Sequence, residues 1–89
     1  MLAQGDTQMI DLPYSLIIEA TEEPNFFGFF SPELTGFLGV GHSVEDCLFR
    51  AKHGMAEHIA LLRDQGLRVP EPNVSPKITI QNARDTAVA

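Results

Sequence analysis

Residues 43–66 read SVEDCLFRAKHGMAEHIALLRDQG, and this stretch decides the fold because it predicts one long amphipathic helix. Ser43 is a favourable N-cap, and Glu45 and Asp46 place negative charge in the first turn, where the helix dipole stabilises it. Gly66 is of the residue type that commonly ends a helix. We expect a helix of about 22 residues. Its apolar stripe consists of Val44, Cys47, Leu48, Ala51, Met55, Ile59 and Leu62.

Short apolar segments on both sides of this helix predict strands. Three of them precede the helix and one follows it: Tyr14 to Ala20 (YSLIIEA), Phe26 to Ser31 (FFGFFS), Phe37 to Gly41 and Lys77 to Gln81 (KITIQ). Gly54, in the middle of the helix, predicts a site where a strand or a partner comes close. The predicted fold class is α+β, with the order β-β-β-α-β and one long helix packed on one face of a small antiparallel sheet.

The chain has the length of one domain, which we place at residues 12–81, with residues 1–11 and 82–89 as flexible tails. Its single cysteine, Cys47, cannot form an intramolecular disulfide, which is typical of a cytoplasmic protein. The sequence shows no signal peptide, and its apolar stretches are too short for a membrane span. We therefore expect the chain neither to span a membrane nor to carry a targeting segment.

The formal net charge is −6, from twelve acidic and six basic residues. Phosphate backbones repel such a chain, so we expect no direct binding to nucleic acid. A basic protein is the more favourable partner, because opposite potentials speed and select the encounter. The competing explanation is that the acidic charge serves solubility alone, which is common in small proteins.

A cluster of phenylalanines is the clearest physical indication of a binding surface. Phe26, Phe27, Phe29 and Phe30 lie in or beside the second predicted strand. Alternation puts Phe27 and Phe29 on one face and Phe26 and Phe30 on the other. One helix covers only one face of the sheet, so one pair belongs to the core and the other is available for contact. The sequence does not decide between the two pairs.

The ordered motifs of the chain resemble those of HicB-like antitoxin domains. In that family a strand hairpin is followed by Pro-x-Leu-x-Gly, four residues, Gly-x-Ser/Thr and an acidic helix start. The later Gly and Pro-x-Pro have counterparts too, and the resemblance covers residues 14–81. The matching residues are Pro32, Leu34, Gly36, Gly41, Ser43, Glu45, Asp46, Gly66, Pro70 and Pro72.

The resemblance implies a partial RNase H-like fold and a non-catalytic role, in which the domain binds and blocks a small basic HicA-type ribonuclease toxin. Two positions depart from the pattern, since the second acidic residue is Asp46 and the following small residue is Cys47. Full-length family members also carry a DNA-binding module, for which the residues after Gln81 are too few. We therefore expect no operator binding by this chain, and no cofactor or metal.

Two other functions remain open. One is an oligomeric scaffold or regulator with the same fold and no toxin. The other is a metal-dependent nuclease, because active enzymes of the RNase H fold hold several carboxylates around magnesium ions. The acidic candidates do not form a converging set in the sequence; they are Glu19 on the first strand, Glu22, Glu23, Glu33, Glu45, Asp46 and Glu57. The run from His53 to His58 has neither spacing of the zinc-binding helical motifs, and we interpret His53 and Glu57 as an exposed helix pair.

Self-association is expected from size alone. A domain this small buries only about 60% of the surface that its unfolded chain exposes, and no disulfide reinforces it. The two edge strands of its sheet leave backbone N–H and C=O groups unpaired, and these groups need covering. We predict a homodimer or tetramer, with Phe26 and Phe30 or Phe27 and Phe29 at the contact.

Overall fold

A computed structural model describes residues 11–83, and it confirms the predicted α+β class and element order. Three strands precede the helix and one follows it: β1 (Leu16–Ala20), β2 (Phe27–Phe30), β3 (Leu38–Gly41), α1 (Val44–Asp64) and β4 (Ile78–Asn82). Structural elements and contacts extend beyond each end of the predicted domain, residues 12–81. β4 reaches Asn82, and the Asp11 carboxylate forms an ion pair of 2.6 Å with Lys52. The remaining residues of both predicted tails, 1–10 and 84–89, lie outside the described part.

The four strands form one mixed sheet in the order β3-β2-β1-β4. β2 is antiparallel to both β1 and β3, but β4 is parallel to β1, so the expectation of a purely antiparallel sheet is wrong for this pair. The helix explains the difference. It carries the chain back along the sheet after β3, so β4 runs in the same direction as β3 and therefore as β1.

The two ends of α1 are capped as the sequence predicts. At the N-terminus the Ser43 Oγ accepts a hydrogen bond of 3.0 Å from the Asp46 N–H. At the C-terminus Gly66 has a φ of +72°. The Gly66 N–H bonds to the Arg63 carbonyl and the Leu67 N–H to the Leu62 carbonyl, which is the Schellman arrangement. These caps satisfy backbone groups that a helix cannot pair internally.

The core lies between α1 and one face of the sheet. The predicted helix stripe is confirmed, since Cys47, Ala51 and Met55 are fully buried and the other four members pack against them. The sheet and the loops contribute the remaining buried apolar residues: Tyr14, Leu16, Ile18, Phe29, Leu34 and Phe37. The helix contacts β1, β2 and β3, which leaves the opposite face of the sheet uncovered by it.

Candidate protein-binding surface

The sheet has a second face, turned away from α1, which we call the open face. Strand pairing places Ile17 opposite Phe30 and Phe30 opposite Leu38, whereas the buried Ile18 and Phe29 point to the helix. Side chains alternate along a strand and aligned partners share a face. The open face therefore consists of Ile17, Glu19, Gly28, Phe30, Leu38, Val40, Thr79 and Gln81.

The open face changes from apolar to polar across the sheet. On the edge strand β3, Leu38 and Val40 are 75% and 52% exposed. Phe30 and Ile17 continue this apolar surface inward, and both are half-buried. On the other edge strand the open-face residues are polar. An exposed apolar area on one half of a sheet is typical of a contact surface.

Glu19 is the only charged side chain in the strands of the described residues. Its Oε2 accepts a hydrogen bond of 3.1 Å from the Gln81 side-chain amide. Between Glu19 and Val40 lies Gly28, where a Cβ atom would have no neighbour closer than the Gly39 carbonyl at 3.9 Å. This position is a notch in the open face, bordered on one side by an acidic group and on the other by an apolar one.

The structure decides which phenylalanines belong to the core. Phe29 is buried, and Phe27 packs against the core from the same side. Phe30 lies on the open face. Phe26 precedes β2 and is 45% exposed. Sequence reasoning missed Leu38 and Val40, although their alternation with two glycines was the signal that could have identified them.

β3 is an unpaired sheet edge. It forms a ladder with β2 only, and none of its residues makes a further backbone hydrogen bond within residues 11–83. Alternate residues of such a strand direct their N–H and C=O groups away from the sheet. The apolar half of the open face and this free edge therefore coincide on one strand.

The first half of the motif singled out in the sequence, Pro32 to Gly36, forms a loop rather than a site. The Ser31 hydroxyl accepts hydrogen bonds from the backbone N–H groups of Glu33 and Leu34. Gly36 has a φ of +85° in the turn that the Phe37 N–H closes onto the Leu34 carbonyl. Pro32 is exposed at the start of the loop.

The Glu33 carboxylate joins distant parts of the chain. Its two oxygens accept hydrogen bonds of 2.7 Å from the Ser15 N–H and from the Asn73 side chain. The Tyr14 hydroxyl donates to the Pro70 carbonyl close to this connection. Pro72, between them in sequence, is exposed. The bonds of Glu33 and Tyr14 therefore fix the segment between α1 and β4 against the start of β1.

Of the remaining motif residues, Gly66 ends the helix, and Gly41, Ser43, Glu45 and Asp46 lie at its start. A Cβ atom on Gly41 would stand 2.8 Å from the Cys47 Sγ, so this glycine allows the helix start to pack closely on β3. Glu45 is exposed. The Asp46 carboxylate accepts hydrogen bonds from the His42 N–H and from the Arg50 Nε, both at 2.9 Å, and these bonds lower its pKa. The motif residues do not converge on one site.

Cys47 is buried in the core near the start of α1. Burial raises the pKa of the Cys47 thiol, and the neighbouring Asp46 charge acts in the same direction. Across residues 11–83, no three His, Cys, Asp or Glu side chains are placed to hold a metal ion. Within the same range no helix has the length and apolar character that crossing a membrane requires.

A separate groove of about 530 Å³ lies beside the C-terminal end of α1 and is mainly apolar. It is lined by Leu34, Thr35, Leu62, Leu67, Arg68, Pro70 and Glu71.

Comparison of the chain with protein-family models, with curated proteins and with solved structures finds no match.

Proposed function

We propose that this chain is a non-catalytic, antitoxin-like domain of the HicB type that binds and blocks a small basic ribonuclease toxin in the cytoplasm. The observation that carries the proposal is the open face. The helix does not cover this sheet surface, its half toward β3 is apolar, and its one charged side chain is the acidic Glu19. A basic partner with an apolar contact area complements this surface in both respects.

The notch at Gly28 leaves room on the open face for a side chain of the partner. A partner side chain with an apolar stem and a cationic head would lie across the notch, with its head beside Glu19 and its stem along Val40. Arginine and lysine combine these two properties. The chain's net charge of −6 favours the encounter with a basic toxin and disfavours competition by RNA at the same surface.

The test is a search of the neighbouring reading frames for a small basic protein, followed by co-expression of that protein with this chain. We expect a stable complex, relief of the growth arrest that the partner causes, and inhibition of its RNA cleavage. Glu19→Gln is expected to weaken the complex several-fold and to reduce its salt dependence. Glu57→Gln removes the same charge from the exposed side of α1 and is the matched control.

Gly28→Ala provides a second variant because the added methyl group has room in the folded chain. It is expected to fold normally and to bind the partner less tightly. Equal effects of Glu19→Gln and Glu57→Gln would contradict the proposed contact. Magnesium-dependent RNA cleavage by the purified chain alone, lost in Glu19→Gln, would replace the proposal with the nuclease function.

A further inference from the structure

We propose that two copies of this chain pair through β3 as antiparallel edge strands, so that their four-stranded sheets join into one continuous sheet. The proposal concerns self-association and does not depend on a toxin partner. It rests on the unpaired backbone of β3, on the exposure of Leu38 and Val40, and on the distribution of charge around them.

The two edges of the sheet differ in a way that favours β3 over β4 as the strand that pairs with a second copy. Natural edge strands usually avoid association through charged side chains, prolines or bulges. β3 reads LGVG, contains none of these, and pairs with β2 without a register break. β4, at the opposite edge, has the polar Thr79 and Gln81 on the open face and follows directly after Lys77.

A second copy is the occupant that matches both properties of the edge. The occupant must offer unpaired N–H and C=O groups along a strand, and apolar side chains on the same side as Leu38 and Val40. A twofold axis perpendicular to the sheet supplies both, because it brings an identical β3 in the antiparallel direction and keeps the two open faces on one side. The apolar halves of the open faces then become neighbours.

Charge does not oppose this contact even though each copy carries −6. The one charged strand residue among those described, Glu19, lies on β1, and β2 separates β1 from β3. The β3 strands therefore meet without like charges opposite each other. If Gly39 lies on the axis, Leu38 of one copy stands opposite Val40 of the other, at the spacing where cross-strand pairs stabilise a sheet.

Sedimentation velocity on the full chain at micromolar concentration tests the proposal. We expect a dimer or an even-numbered assembly for the wild type, and a folded monomer for Leu38→Lys and for Val40→Lys, whose side chains are too exposed to be needed for folding. Ile80→Lys changes a residue of similar exposure, 56%, on the other edge strand. This control is expected to remain associated.

Two further measurements distinguish strand pairing from other contacts. In the associated wild type, hydrogen exchange is expected to show protection of the β3 amides that point away from β2, and the Lys variants are expected to lose this protection. Mixing Leu38→Lys with Val40→Glu is expected to restore a dimer from two monomeric variants, because the two opposite charges face each other when Gly39 lies on the axis. A folded wild-type monomer at micromolar concentration, a dimer that persists in both Lys variants, or rapid exchange along β3 in the dimer would each overturn the proposal.

Discussion

The ring of Phe37 lies against α1 at Gly54, so closely that a Cβ atom on this glycine would stand 2.9 Å from the Cε1 of Phe37. The ring cannot easily give way. It is 7% exposed, and its centroid lies 5.8 Å from that of Phe29 and 5.9 Å from that of His58. Gly54 thus allows the segment leading into β3 to pack closely on the helix.

Gly54→Ala is expected to destabilise the domain although alanine favours the helix by about 1 kcal/mol. The added methyl group would overlap the Phe37 ring, and forcing extra volume into a packed core costs about 1–3 kcal/mol. Urea unfolding measures the net effect. In a Phe37→Leu background the ring is absent, so the same substitution is expected to become neutral or stabilising. A more stable Gly54→Ala single variant would contradict the packing described here.

The sequence predicted that something approaches Gly54, but it did not identify the Phe37 side chain. The difference has a physical reason. Helical spacing and capping residues are local, so the stripe from Val44 to Leu62 and both helix ends could be read directly from the sequence. Contacts between elements depend on the path of the chain in space, which spacing along the sequence does not specify.

The same reasoning explains the parallel pairing of β1 with β4. Each strand was predictable from its own composition, but the direction of a strand is set by the connection that leads into it, which here is the return of the chain through α1. For the candidate surface, alternation separated Phe29 from Phe30 but left open which of them the helix covers. Aromatic character pointed to the phenylalanines, yet Leu38 and Val40 are more exposed than Phe30.

Glu33→Ala is expected to destabilise the domain by about 2–3 kcal/mol, since hydrogen bonds to a charged group contribute about 1.5–3 kcal/mol. The substitution removes the acceptor of the Ser15 N–H and one of the two acceptors of the Asn73 side-chain amide, which keeps its bond to the Ser15 hydroxyl. Thermal or urea unfolding provides the measurement. Glu71→Ala, an exposed acidic residue of the segment that Glu33 holds, is the matched control and is expected to change stability by less than about 0.5 kcal/mol. Equal stability losses in the two variants would argue against the bridging role.

Asp46 is expected to make the stability of the domain depend on pH in the acid range. Two hydrogen bonds lower the pKa of its carboxyl in the folded chain below the ordinary value of 3.8. The bond from the His42 N–H has the larger effect and the bond from Arg50 the smaller one. The unfolded chain therefore takes up this proton first as the pH falls. The stabilisation is complete above the ordinary pKa and is lost as the pH falls through the lowered pKa of the folded state.

Asp46→Asn tests this linkage through urea midpoints measured from neutral to strongly acidic pH. The variant is expected to be less stable than the wild type near neutral pH, and the difference is expected to shrink as the pH falls below the ordinary carboxyl pKa. Glu45→Gln removes a charge from the same helical turn and leaves the bonds to His42 and Arg50 in place. A difference between wild type and Asp46→Asn that stays constant through the acid range would show that the carboxylate does not carry this linkage.

Phe29 and Phe30 are neighbours in sequence with opposite environments, so the same substitution at each separates folding from association. Phe29→Ser removes a buried ring and places a hydroxyl in the core. Truncating a buried aromatic ring alone costs about 3–5 kcal/mol, a large share of the about 5–15 kcal/mol that stabilises a typical domain. We expect this variant to be largely unfolded by circular dichroism. Phe30→Ser changes a half-buried ring on the open face, and we expect it to fold while its self-association weakens at least several-fold. Sedimentation on the folded variant measures the second effect. The assignment of the two faces would be wrong if Phe30→Ser unfolded the chain and Phe29→Ser did not.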